Sequence, residues 1–300
     1  MRPATASAQA RAALAGNPSD GYGGRTLAVA LGDFSAEACV APAAAFSFGT
    51  PGDRPAMAPL VDAAIARFAR LAGGALAPCA VEVRTTIPRQ LGLAGSSAIV
   101  IAVLRALAAA TGTALEPRTL AAEALAAETE ELGIAAGPQD RLVQAFGGLL
   151  YMDFATGDVE ALPAEALPPL FVAHQAATGA PSGTVHGALR RRFEAGDRAV
   201  VDGMRRLADL TADARAALLA RDAAAFAALL GASFDLRADM VALDPAEAAG
   251  VLIAREHGLH ANYAGSGGAV VGVFQNADRD RLAEAYRRAG WKLVAPVTLG

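Results

Sequence analysis

Lysine is nearly missing: of 26 Lys and Arg residues, only Lys292 is a lysine. A catalyst built on a lysine amine therefore has a single candidate, and it stands near the C-terminal end, far from any glycine-rich loop. No GxxxxGK[ST] pattern occurs, so a Walker-type phosphate loop is excluded. There are two cysteines, Cys39 and Cys79, neither in a CxxC setting. They cannot form a disulfide framework, and a reducing cytoplasm is expected. The four histidines lack metal-ligand spacing; His174, His257 and His260 read as structural. No run of about 20 residues is apolar enough to span a bilayer; the nearest, 99–110, contains Arg105. The first ten residues hold no apolar core, so a signal peptide is not expected. Net charge is −4, which leaves no broad basic surface and argues against nucleic acid as a partner. No internal repeat is visible.

What is present is a chain of 300 residues, 54% hydrophobic and 19% charged, the composition of a globular protein with a large core. Short apolar runs at 26–31 and 81–85 predict strands. An Ala, Leu and Val pattern predicts a helix over 96–110. A second helix is expected over 118–132, stopping at Gly133, and a third over 137–146. Gly147 and Gly148 turn into a strand at 149–154. Three prolines in 162–170 mark a boundary. Beyond it a strand is expected at 171–175 and helices at 184–192, 197–219, 223–230 and 245–257. A strand at 269–274, a helix at 278–289 and a strand at 291–297 complete the pattern. Mixed elements with helices grouped in runs predict an α+β protein with two lobes, 1–165 and 166–300.

The most informative local pattern lies between a predicted strand and a predicted helix, at Gly92, Gly95, Ser96 and Ser97. Glycines let a backbone approach a ligand and turn successive N–H groups toward one point. The helix start adds its positive dipole end, which makes an anion site suited to a triphosphate. The hydroxyls can cap the helix, bind phosphate or ligate magnesium. A glycine turn followed by a serine N-cap gives the same pattern without a ligand.

The segment Ile87-Pro88-Arg89-Gln90-Leu91-Gly92-Leu93-Ala94-Gly95-Ser96-Ser97-Ala98 resembles the second motif of the GHMP kinases, a superfamily that includes galactokinase, homoserine kinase and mevalonate kinase. Arg11 followed by Gly16-Asn17-Pro18-Ser19-Asp20-Gly21-Tyr22-Gly23-Gly24-Arg25-Thr26 resembles the first motif. Ala264-Gly265-Ser266-Gly267-Gly268-Ala269 resembles the third, which supports the nucleotide end of the site. The three occur in order and the resemblance covers essentially the whole chain. Further blocks resemble the glucuronokinase family of sugar-1-kinases: Gly133-Ile134-Ala135-Ala136-Gly137-Pro138-Gln139-Asp140-Arg141, Gly147-Gly148-Leu149-Leu150-Tyr151-Met152-Asp153-Phe154, and Pro181-Ser182-Gly183-Thr184-Val185-His186 leading into Arg190-Arg191-Arg192.

The resemblance implies a fold and a chemistry. The fold is a ribosomal protein S5 domain 2-like lobe followed by a ferredoxin-like lobe. The chemistry is ATP-dependent phosphorylation with Mg2+, the acceptor being the anomeric hydroxyl of glucuronic acid or a related sugar acid. ATP would lie on Pro88, Gly92, Leu93, Ala94, Gly95, Ser96, Ser97, Ala98, Gly265, Ser266, Gly267 and Gly268. Asp140 matches the catalytic aspartate, which takes or holds the acceptor proton, and Arg11 the neighbouring basic residue, which stabilises developing negative charge. Ser97 and Glu128 match the metal ligands, with Glu130 as the alternative to Glu128. Ser19, Asp20, Tyr22, Ser182 and His186 are expected to face the sugar. Arg25, Arg141 and Arg190 are candidates for gripping its carboxylate through paired hydrogen bonds. A mevalonate-like, homoserine-like or neutral-sugar acceptor, and a non-catalytic ATP- and sugar-binding regulator, are the alternatives. Neither a membrane nor nucleic acid is expected as partner, and the chain is expected to be a monomer or homodimer.

Overall fold

The computed structural model describes residues 1–49, 54–74, 76–176, 183–275 and 279–296. They form two compact units whose segments interleave along the chain: Met1–Ala10, Gly32–Ile87 and Ala94–Gly147 in the first, Arg11–Leu31, Pro88–Leu93 and Gly148–Gly300 in the second.

The chain opens with two long strands, β1 (Ala4–Ala15) and β2 (Arg25–Pro42), which pair with each other and pass from one unit to the other. In the first unit, β3 (Ser47–Gly49), α1 (Arg54–Leu71), β4 (Cys79–Thr85), α2 (Gly95–Thr111), α3 (Pro117–Ala126) and α4 (Gln139–Phe146) come next. The later half of β2 runs antiparallel to β4, from Ala36 opposite Thr85 to Pro42 opposite Cys79, and β3 lies parallel to β4. Alternation along β2 buries Ala36, Ala38 and Val40, as a half-covered sheet requires. Helix α2 is buried nearly all round from Ser97 to Ala110, which explains its run of Ala, Ile, Val and Leu.

Two elements here escape the sequence pattern. β1 gives no strand signal, because its alternating Ala, Ser, Thr and Gln residues carry little hydrophobic contrast. α1 is hidden by proline-rich sequence; it continues past Pro59 because Met57, Val61, Ala64 and Phe68, all buried, recur at helical spacing on one face. The helix expected over 118–132 also divides: α3 stops at Ala126 and a π turn, Ala127–Glu131, carries the chain on to Gly133. A π turn widens the helix and rotates the residues beyond it. It buries Glu128 while leaving Glu130 at the surface.

In the second unit, the early half of β2 pairs antiparallel with β5 (Leu149–Asp153), which forms a hairpin with β6 (Asp158–Leu162). Then come β7 (Leu170–Gln175), α5 (Gly183–Glu194), α6 (Arg198–Leu219), α7 (Ala223–Met240), α8 (Pro245–Glu256), β8 (Ala261–Tyr263), β9 (Ala269–Val273), α9 (Arg279–Arg288) and β10 (Trp291–Val294). The last four strands make an antiparallel sheet in the order β10-β7-β9-β8. This order, with helices between the first and second strands and between the third and fourth, is the ferredoxin-like split βαβ arrangement. The protein is α+β, as the element pattern predicts.

Asp197, Asp222 and Asp244 cap α6, α7 and α8, each accepting from a backbone N–H in the first turn. α7 runs ten residues beyond the expected stop at 230. Gly231 lies inside it, where a side chain would collide with the His260 ring, 2.8 Å from the Cβ position; the glycine serves packing rather than termination. The core beneath the sheet gathers Phe171, Phe234, Tyr263, Tyr286 and Trp291. Gly272 on β9 faces Phe171, and a Cβ there would lie 2.2 Å from the ring and 2.7 Å from the His260 carbonyl. Gly272→Ala is therefore expected to destabilise the protein by about 1–3 kcal/mol through overpacking, read as a lower urea midpoint with an unchanged m-value.

Candidate active site

In the second unit the three glycine-rich segments meet around one side chain. Arg11 on β1 is 4% exposed. Its Nη1 donates to the Gly92 carbonyl at 3.0 Å and also to the Ala264 carbonyl, while its backbone N–H reaches the Leu93 carbonyl. The second and third motifs press directly on each other. A Cβ on Gly265 would lie 2.0 Å from the Gly92 oxygen, one on Gly92 would lie 2.8 Å from the Gly267 oxygen, and one on Gly268 would meet Leu91 at 2.7 Å. Gly92 and Gly268 also hold φ of 72° and 77°, a region glycine enters without strain. Gly265, Gly267 and Gly268 are buried, and Ser266 is half-buried.

Two residues of this cluster are not among the candidate site residues read from the sequence. Asn17 Nδ2 donates to the Gly265 carbonyl at 3.0 Å. Arg237 on α7 donates to the carbonyls of Gly265 at 2.6 Å and Ser266 at 2.7 Å. Its guanidinium lies 5.0 Å from the Tyr263 ring centroid. Burial pushes the Arg237 pKa down to about 10, so it stays charged at neutral pH. Asn17 lies within the first motif, where its position is a signal; an arginine late in an unremarkable helix gives none.

In the first unit the loop enters α2 through Ala94, whose φ of 60° is left-handed and costs an alanine about 1–2 kcal/mol. Its carbonyl is held by Gln144 Nε2 at 2.8 Å, Ser97 Oγ at 3.2 Å and the Ala98 N–H at 3.1 Å. No side chain caps this helix. Its first N–H groups, from Gly95, Ser96 and Ser97, have no partner inside the helix, and the dipole end is positive. Ser96 is exposed while Ser97 and Ala98 are buried. The arrangement fits a phosphate group, which would take the place of a capping side chain.

α4 presents Asp140 in its first turn, 20% exposed and 3.7 Å from Arg141 Nη1. One turn later on the same helix stands Gln144, which also donates to the Gln9 carbonyl at 3.0 Å. Thus the helix that carries Asp140 is bonded to the loop residue that starts α2. Arg141 is buried and donates through both Nε, at 2.8 Å, and Nη2 to Glu128 Oε2; Nη1 donates to the Gly137 carbonyl at 2.8 Å. Glu128 is 1% exposed. Glu130, by contrast, is 65% exposed and pairs with Arg67 at 2.6 Å, beside Glu123 and Glu131. Among the described residues, no three His, Cys, Asp or Glu side chains gather as a metal-binding group. Ser97 and Glu128 offer hard oxygen donors, and magnesium takes one or two protein oxygens together with phosphates and water, so the residues present fit it.

The expected sugar-facing residues are distributed unevenly. Ser19 is fully buried and its Oγ donates to the Arg25 carbonyl at 2.9 Å, bracing the 3-10 turn Ser19–Tyr22 that carries Asp20. Arg25 donates to Asp153 at 2.6 Å and lies 3.6 Å from Asp209. Tyr22 is half-buried, its ring 4.7 Å from that of Phe193 and under the Arg190 guanidinium at 4.8 Å. Arg190 is exposed. Ser182 lies outside the described residues, and His186 belongs to α5 with its side chain undescribed. Pro88 and Leu93 lie half-buried and buried on either side of Gly92.

Residues 59–148 match the GHMP kinases N terminal domain. The chain is 37% identical over 230 residues to probable glucuronokinase 2 of Arabidopsis thaliana, across 72% of this chain and 62% of that protein. It is 36% identical over 235 residues to glucuronokinase 1 of the same plant, across 72% of this chain and 64% of that protein. It thus spans less than two thirds of the length of these curated relatives. Lactococcus lactis galactokinase complexed with galactose shares the fold with a TM-score of 0.87, covering 99% of this chain and 93% of that one at 14% identity. The matched segment and these relatives make the chain similar to proteins of the GHMP kinase superfamily. Within that superfamily its sequence resembles the glucuronokinases.

Arg141→Met would leave the Glu128 carboxylate buried without its cation. It is expected to lower stability by about 3–5 kcal/mol, whereas Glu130→Gln should change it by less than about 1 kcal/mol; urea unfolding of both variants checks the contrast.

Proposed function

We propose that the chain is an ATP-dependent sugar-acid kinase that phosphorylates the anomeric hydroxyl of glucuronic acid or a closely related acid. The observation that carries the kinase reading is the convergence of three separate motif segments through Arg11 and Asn17; similarity to two glucuronokinases supports the acceptor. Bound ATP, with Mg2+, would supply the phosphoryl group. In this reading Gly92 to Ala98 and Gly265 to Gly268 hold the phosphates with backbone N–H groups, and the α2 dipole adds to the field. Ser97 and Glu128 would hold the metal, and Arg141 is the ion-pair partner of the buried Glu128 carboxylate. Asp140 orients the acceptor hydroxyl and takes its proton. Arg11, fixed by loop carbonyls, supplies a permanent positive charge to the transferring group.

For the acceptor carboxylate the proposal favours Arg190. Arg25 and Arg141 are already bonded to carboxylates of the protein itself. Arg190 is exposed, lies over Tyr22 and borders the turn that carries Asp20. Tyr22 would stack on the sugar ring and Asp20 would accept from its hydroxyls, with Ser182 and His186 nearby in sequence to Arg190. The reading includes lobes divided near residue 165, action in the cytoplasm, and a monomer or homodimer. Among the described residues no helix is long and apolar enough to cross a membrane.

A coupled ADP-release assay over a panel of acceptors tests this. Release that depends on glucuronate or a related uronic acid is expected; release only with mevalonate, homoserine or a neutral sugar would reassign the acceptor, and nucleotide binding without turnover would make the chain a regulator. Asp140→Asn is expected to lower kcat by at least about 100-fold with ATP binding retained, and a near-normal rate would remove Asp140 from its role. Arg190→Met is expected to raise KM for glucuronate about tenfold, the loss of roughly 1.4 kcal/mol of paired hydrogen bonding, with KM for ATP unchanged.

A further inference from the structure

Three successive carbonyls of the third glycine-rich segment are turned toward buried donors. The Ala264 carbonyl accepts from Arg11 Nη1 and from the Ala13 N–H at 2.8 Å. The Gly265 carbonyl accepts from Arg237 Nη1 at 2.6 Å and Asn17 Nδ2 at 3.0 Å, and the Ser266 carbonyl from Arg237 Nη2 at 2.7 Å. A peptide unit whose oxygen is held on one side presents its N–H on the other. Consecutive units held this way line up N–H groups in a concave, anion-attracting row. The Ser266 nitrogen lies 2.9 Å from where a Cβ on Gly92 would be, so this row adjoins the second motif.

Arg237 stands behind that row. Its two nitrogens grip adjacent carbonyls, a spacing that a planar guanidinium can match and a single ammonium cannot. Tyr263 covers one face of it. On the far side of Gly267, the Glu247 carboxylate occupies the space a side chain at 267 would fill, 2.1 Å from its Cβ position. Arg237 sits on α7, far in sequence from the three motifs, and belongs to no segment that marks the site.

We propose that Arg237 is a positioning residue for the nucleotide: by holding the Gly265 and Ser266 carbonyls, it aims the N–H groups of the third motif at the phosphates and adds a fixed positive charge behind them. The inference rests on the kinase reading. Its signature is selective, because Arg237 acts on the phosphate side alone: nucleotide affinity should fall while the acceptor's KM stays put.

The test is calorimetric titration of the full chain with a non-hydrolysable ATP analogue, paired with steady-state kinetics. Arg237→Gln is expected to weaken analogue binding by at least about tenfold, equivalent to about 1.4 kcal/mol, with KM for the acceptor within about twofold of the parent value. Arg237→Lys, which keeps the charge but reaches one carbonyl, should fall between the two. If Arg237→Gln is recovered unfolded, the lysine variant is read alone, with several-fold weaker binding expected. Unchanged analogue affinity in a folded variant overturns the proposal, as does a fall in kcat accompanied by equal losses toward both substrates. A parent chain that binds no nucleotide overturns the kinase reading and the role of Arg237 with it, so the two failures are told apart.

Discussion

A carbonyl oxygen buried in a loop must find a donor or carry a penalty of about 1–3 kcal/mol. In this protein the third glycine-rich segment meets that requirement mainly with side chains, joined by the Ala13 N–H of β1 at the Ala264 carbonyl. Arg11, Asn17 and Arg237 come from β1, the turn after it and α7, and all three donate into residues 264–266. The geometry of the second motif depends on theirs, because Gly92 is packed against Gly265 and Gly267 with no room for a side chain on either partner. Positive charge is thus built into the loops as part of their support. A site intended for anions gains from this arrangement twice, once from the direction of the N–H groups and once from the cations behind them.

In the first unit a parallel device uses amides and carboxylates. α4 carries Asp140 at one turn and Gln144 at the next, and Gln144 holds the strained Ala94 that begins α2. Arg141, between them in sequence, closes on Glu128 from the π turn. Arg105 on α2 supports the far end of α4, donating to the carbonyls of Gln144 and Ala145 at 2.9 Å. One short helix therefore sets the position of a carboxylate, of the loop's entry into α2 and of a buried ion pair, which explains why so few of its residues are surface-exposed.

Much of this is legible in the sequence where residues mark their own role. Glycines that permit close approach or left-handed backbone, as at Gly92 and Gly268, stand out, and so do the long apolar pattern of α2, the alternation in β4 and the short apolar run of β7. The α+β class rests on those patterns. The parts that stay hidden share a physical reason. β1 buries alanines next to Thr, Ser and Gln, so its alternation has little contrast. The π turn at Ala127–Glu131 changes which glutamate points inward without changing the residue types. Arg237 is brought to the loops by tertiary packing of α7, and nothing adjacent to it in sequence reports that contact. Among three candidate arginines the sequence offers no ranking; the partners of Arg25 and Arg141 separate them from Arg190 only once Asp153 and Glu128 are placed.

The interleaving of the chain bears on how the protein is made. Ala13 bonds to Ala264, Leu14 accepts from Asn262 at 3.1 Å, and Arg11 reaches Ala264, contacts spanning about 250 residues of sequence. Loop closure over such distances is slow, and folding rates fall as contacts become less local. During synthesis at a ribosome, β1 and the glycine loop at 88–93 emerge long before their partners. The contacts that join them to residues 260–270 can form only after that last segment has arrived, so the glycine-rich cluster is assembled late.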